Sequence, residues 1–183
     1  GSLFGEHIQR AAELCQLIEM WCHCGPPPTN RLQGIGRTGD KIQGRERLMK
    51  RHLESIDRSD PNMCLGFSIF LHKRGVGKAT QVIKWSDYAL ENKAKWSGAT
   101  HTRNVYYLHQ LKSEAASRLW KRAEKRFVKD RNEKNEAKAN KYRSMAKQSS
   151  RAWLDYAKAS GKDTSRPLAA CVSASGNTEF CPL

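Results

Sequence analysis

Apolar positions recur at spacings of three and four through most of the chain, and this predicts helices rather than strands. Ile8, Ala11, Ala12, Cys15, Leu17, Ile18 and Trp21 share one such stripe, predicting a helix from Phe4 to Trp21. Gly25-Pro26-Pro27-Pro28 stops it, and the Gly-rich polar stretch from Thr29 to Gly44 predicts a long loop. A helical pattern resumes from Lys41 to Ser55 through Ile42, Leu48, Met49 and Leu53, closed by Asp60-Pro61. Asn62 to His72 is the most apolar run, and its composition suits a buried strand as well as a helix. Gly75-Val76-Gly77 then predicts a turn. Lys78 to Lys93 carries Val82, Ile83, Trp85, Tyr88, Ala89 and Leu90 as the next helical face.

Two further helices are expected from Ser97 to Leu111 and from Ser113 to Lys129, the second with Ala116, Leu119, Trp120, Ala123 and Phe127 inward. Asp130 to Ser149 has good helix formers but a thin apolar stripe of Ala137, Tyr142, Met145 and Ala146. It reads either as a capping hairpin or as one long helix running on to Ala159. After Gly161 the sequence reads as an irregular tail that wraps back through Leu168, Val172 and Phe180.

The segment Trp85-Ser86-Asp87-Tyr88-Ala89 returns as Trp153-Leu154-Asp155-Tyr156-Ala157, a shift of 68 residues or two steps of 34. Ala89, Ala123 and Ala157 fall in register at that step, and Val82 falls with Ala116. A 34-residue period resembles the tetratricopeptide repeat, over about residues 45 to 160. Trp120 and Ala123 stand at the family's large and small positions, while its first-helix pattern is poorly kept beyond Tyr107. The resemblance selects a helix for Asn62 to His72. It implies an all-α fold of tetratricopeptide-like helical hairpin repeats, an α-solenoid. Residues 1–44 then form an N-terminal helix and Gly/Pro-rich loop, 45–160 the repeat domain, and 161–183 a cysteine-containing tail.

What such a fold implies is a non-enzymatic scaffold that takes a partner protein or peptide in a groove lined by the first helix of each repeat. Arg103, Asn104, Tyr106 and Tyr107 are the groove residues on this reading. Phe67, Leu71 and His101 occupy the positions where some members clamp a terminal carboxylate, so an adaptor of that type is not expected.

Charge narrows the partner. The net charge is +15, and from Thr100 to Asp163 there are 17 Lys or Arg against 7 Asp or Glu, whereas residues 1–60 have 9 against 8. The excess sits in the second half and calls for an acidic protein partner, with nucleic acid as the alternative. Lys112, Arg118, Lys121, Arg122 and Lys125 are the basic candidates, joined by Arg126 for a nucleic acid held on the basic face of residues 100–163. No zinc-finger, RNA-recognition or helix-turn-helix signature accompanies them.

Candidate chemistry is sparse. Cys22-His23-Cys24 lacks the spacing and the second ligand pair of a zinc site. Gly75-Val76-Gly77-Lys78-Ala79-Thr80 has His72 where a phosphate loop needs its first Gly, and Ala79 where it needs Ser or Thr. Gly34 to Gly39 is Gly-rich without a preceding strand. Six scattered histidines supply no nucleophile, base and orienting acid together, so neither catalysis, a cofactor nor a metal is expected. Cys171 and Cys181 are placed for a disulfide, which points to an oxidising compartment, periplasmic or secreted.

Overall fold

The structure, a computed structural model, describes residues 35–182, with side chains from Ile42 onward. Two compact units divide the chain, residues 1–41 and 42–183. The helix expected over Phe4 to Trp21 and the Cys22-His23-Cys24 motif lie outside the described residues.

All regular structure among the described residues is helical: α1 Ile35–Ser55, α2 Pro61–His72, α3 Ala79–Glu91, α4 Gly98–Lys129, α5 Glu133–Ala159 and α6 Ser165–Ser175. Short 3-10 turns, Val76–Lys78 and Lys93–Lys95, enter α3 and leave it. Since α1 begins at Ile35, the Gly-rich stretch expected as loop to Gly44 is helical over its last ten residues.

Local chemistry explains why α2 is a helix although its composition also suits a strand. Asp60 caps it, its Oδ1 accepting from the amides of Asn62 (2.9 Å) and Met63 (3.2 Å), and Pro61 opens the first turn where no amide donor is needed. Cys64, Phe67, Ser68 and Leu71 then bury one face at spacings of three and four. Asp60→Ala is expected to cost about 1 kcal/mol, within a range of about 0.5–2, read as a lower urea midpoint with unchanged m-value. Trp96 Nε1 donating to Asn62 Oδ1 (2.8 Å) and Lys95 Nζ donating to Ser59 (2.7 Å) fasten the start of α2 to the chain entering α4.

Helices α2, α3 and the first half of α4 enclose the main core, in which Leu53, Phe67, Leu71, Val82, Trp85, Leu108 and Leu111 are buried. The Trp85 ring lies against Phe67 (centroids 5.7 Å apart) and Tyr88 (5.5 Å). Helix α5 packs along α4, and α6 packs mainly on α5 through a second cluster of Leu154, Leu168, Cys171, Val172, Phe180 and Cys181.

The hairpin expected from Ser97–Leu111 and Ser113–Lys129 is not formed, because these residues make one continuous helix of 32 residues. No Gly or Pro follows Gly98 within it, and Val105, Leu108, Leu111, Ala115, Ala116, Leu119 and Ala123 bury an unbroken stripe through the expected turn. Residues 133–159 form one long helix, the second of the two alternatives. The tail is not irregular either, since Ser165–Ser175 is helical and ends at Gly176, whose φ of 83° is the left-handed cap that glycine adopts without strain. Its wrapping through Leu168, Val172 and Phe180 is as expected, and Cys171 and Cys181 are bonded.

The two Trp-x-Asp-Tyr-Ala strings have a simpler explanation than a repeated hairpin. In α3 and in α5 the Trp and the Ala four residues later are buried, with the Tyr between them half-buried. Two helices that each turn an i, i+3, i+4 face to neighbours converge on the same spacing.

Candidate polyanion-binding surface

The nine expected site residues separate into two groups. Those from Arg103 to Arg118 on α4 are used by the fold. Asn104 is buried, Arg103 Nε donates to it (3.3 Å), Tyr106 meets Trp153 edge-on with centroids 5.8 Å apart, and Tyr107 packs on the core. Lys112 pairs with Asp87 of α3 at 2.5 Å. Arg118 Nη1 donates to the His72 carbonyl at the end of α2 (2.9 Å), placing a cation where a helix terminus carries partial negative charge. Glu114 closes this latch with His72 Nε2 at 3.0 Å and Arg166 at 3.4 Å, and the His72 hydrogen bond holds its carboxyl below the ordinary carboxylate range. Of the expected groove residues Asn104 is buried, Tyr106 and Tyr107 are half-buried and Arg103 is exposed.

The second group, Lys121, Arg122 and Lys125, belongs to a larger exposed set. Past Ala123 in α4 and before Ala139 in α5 no residue is buried. Exposed here are Lys121, Arg122, Lys125, Arg126 and Lys129 on α4, Arg131 in the turn, and Lys134, Lys138 and Lys141 on α5. Among the described residues none of these nine has an ion-pair, hydrogen-bond or ring partner.

Helix geometry sorts their charges. With the buried Ala123 taken as the inward direction, a rotation of about 100° per residue puts Arg122, Arg126 and Lys129 on one flank of α4 and Glu124 on the other. From the buried Ala139, the same rotation puts Lys134, Lys138 and Lys141 on one flank of α5, and Glu133 and Glu136 on the other. Because the three-residue link Asp130 to Asn132 makes α4 and α5 antiparallel, the two basic flanks face the same side. The opposite side carries the carboxylates, Trp120 under Arg143, and α6. Asp130 is occupied by Asn132 and Asn135, fixing the turn, and Glu133 and Glu136 suit the N-terminus of α5. The basic flank extends about 12 Å along each helix. Of this flank the sequence singles out Arg122 and Arg126 but not Lys129, Lys134, Lys138 and Lys141 as individual site residues; the signal for these is their spacing relative to Ala123 and Ala139.

Other titratable groups are structural. Cys64, the free cysteine among the described residues, is buried, and burial pushes its thiol up to about 12, so it stays protonated. His109, its ring tilted against Tyr156 (centroids 5.3 Å apart), is held down to about 4 by burial first and then by Lys112 and Lys93. Between about pH 6.5 and 4 the unfolded chain therefore takes up a proton that the folded chain refuses, so His109 makes stability fall as pH drops through that window. His109→Gln is expected to lose less thermal stability than the native chain between pH 7 and 4.5. Parallel losses in the two proteins would contradict this. Among the described residues no group of His, Cys, Asp and Glu is arranged to hold a metal ion, and no helix is long and apolar enough to cross a membrane.

Compared with protein-family models, curated proteins and solved structures, the chain matches none.

Proposed function

We propose that this chain is a non-enzymatic binding module whose α4–α5 hairpin holds double-stranded nucleic acid by its phosphate backbone, without reading base sequence. The observation that carries this is the gathering of six exposed cations, Arg122, Arg126, Lys129, Lys134, Lys138 and Lys141, on one flank of the hairpin, with Glu124, Glu133 and Glu136 turned to the other. Lysines used only for solubility have no reason to segregate, whereas a polyanion rewards it.

The choice of partner rests on what the basic side lacks. Protein interfaces are anchored by aromatic and apolar side chains at their centre. The basic flank has no exposed ring or large apolar side chain, since Tyr142 on that side is half-buried against the core, the exposed Val128 falls toward the Glu124 side and Trp120 is half-buried. Single strands are held by stacking on exposed rings, also absent there, so a duplex is preferred. The Cys171–Cys181 bonded pair supports an oxidising compartment, periplasmic or secreted, for this activity.

Fluorescence anisotropy of a labelled duplex across a salt series tests this reading. With about half of the nine cations touching phosphate at once, log K is expected to fall against log salt with a slope of about −4, equally for unrelated sequences. A strict sequence preference, or an affinity indifferent to salt, would overturn it. Tighter binding of poly-glutamate than of duplex would put the acidic-protein reading in its place.

A further inference from the structure

On the opposite side of the hairpin a cleft of about 440 Å³ opens between α5 and the end of α6, lined by Asn140, Arg143, Ser144, Lys147, Gln148, Ser175 and Phe180. We propose that it is a separate binding site for a phosphate monoester. Neither of its two cations forms an ion pair among the described residues, and no carboxylate lines it.

Arg143 and Lys147 stand one turn apart on α5, and both heads are positioned rather than free. The Arg143 guanidinium lies over the Trp120 ring (5.7 Å) and the Lys147 ammonium over the Phe180 ring (4.7 Å). The next cation in the row, Arg151, is already neutralised: its Nε meets Asp155 at 2.9 and 3.0 Å, and its Nη1 donates to the Phe180 carbonyl. The row thus presents two positive charges to the cleft and withholds the third. Gly176 borders it closely, since a Cβ there would stand 3.4 Å from Arg143 Nη2. The far wall, Phe180, is fixed by the Cys171–Cys181 bond.

The donors select the anion. A planar guanidinium and an ammonium beside the amides of Asn140 and Gln148 and the hydroxyl of Ser144 offer more donors than the two oxygens of a carboxylate accept. A tetrahedral dianion with three free oxygens uses them. The volume exceeds that of the phosphate itself, leaving room for the first atoms of the group that bears it. That group is either the 5′ end of a nucleic acid or a small soluble monoester.

Titration of the intact, oxidised chain by NMR, following the Ser144 amide and Arg143 Nε–Hε, tests this with inorganic phosphate, glycerol phosphate and a 5′-phosphorylated dinucleotide. Saturable shifts at these groups are expected, with about tenfold weaker binding in R143Q and in K147Q and no loss in K50Q, a cation of α1 outside both surfaces. Tighter dinucleotide binding identifies a nucleic-acid end as the source, and tighter glycerol phosphate binding a small monoester. The absence of shifts with every probe, or an equal loss in K50Q, would overturn the site. Duplex affinity is expected to be unchanged in R143Q, so this site and the duplex surface fail independently.

Discussion

Replacing Trp85 by alanine is expected to destabilise the folded chain by about 3–5 kcal/mol, a large share of the roughly 5–15 kcal/mol that a domain has in total. The side chain is 2% exposed and stands where α2, α3 and α4 meet, against Phe67 and Tyr88. Its removal opens a cavity that three helices must close around, two of them fastened elsewhere by the Asp60 cap and the Trp96–Asn62 hydrogen bond. Collapse is thereby restricted, which places the cost in the upper part of the range. Urea unfolding followed by circular dichroism checks it. A loss below about 1 kcal/mol would mean that Trp85 is not at the centre of the core. Trp120→Ala is the useful contrast, because that ring is half-buried on the packing between α4 and α5 and should cost less.

Changing Arg122, Arg126, Lys129, Lys134, Lys138 and Lys141 together to glutamine is expected to weaken duplex binding on the order of 100-fold or more at low salt and to flatten the salt dependence. Thermal stability should change little, because these side chains are exposed and none has a partner among the described residues. Relief of like-charge repulsion makes a small rise as reasonable as a small fall. The matched control changes Glu124, Glu133 and Glu136 to glutamine. It alters the opposite flank and should leave affinity the same or slightly higher. If the two variants lost affinity equally, net charge rather than the arrangement of charge would govern binding.

Much of the fold is legible where local chemistry decides it. Gly75 and its φ of 90° mark the turn before α3, Asp60-Pro61 marks the start of α2, and Cys171 and Cys181 mark their own bond. The sequence misleads where a longer-range pattern competes with local chemistry. A 34-residue register demanded a turn near Lys112, although Leu111-Lys112-Ser113-Glu114 contains no breaking residue and the buried stripe passes straight through it. In the tail, the small residues around Leu168, Cys171 and Val172 concealed a helical stripe of i, i+3, i+4. Basic residues were legible as a mass but not as a surface. Which of them the fold consumes, as it does Lys112 and Arg118, depends on contacts with Asp87 and His72, residues far away in sequence.

The most direct measurement is lysine-reactivity footprinting of the intact chain with and without bound duplex, read by mass spectrometry. Protection is predicted at Lys129, Lys134, Lys138 and Lys141, with Lys50, Lys84, Lys93 and Lys158 unchanged. Protection spread evenly over all lysines, or centred on the second group while the hairpin stays reactive, would contradict the basic flank as the binding surface.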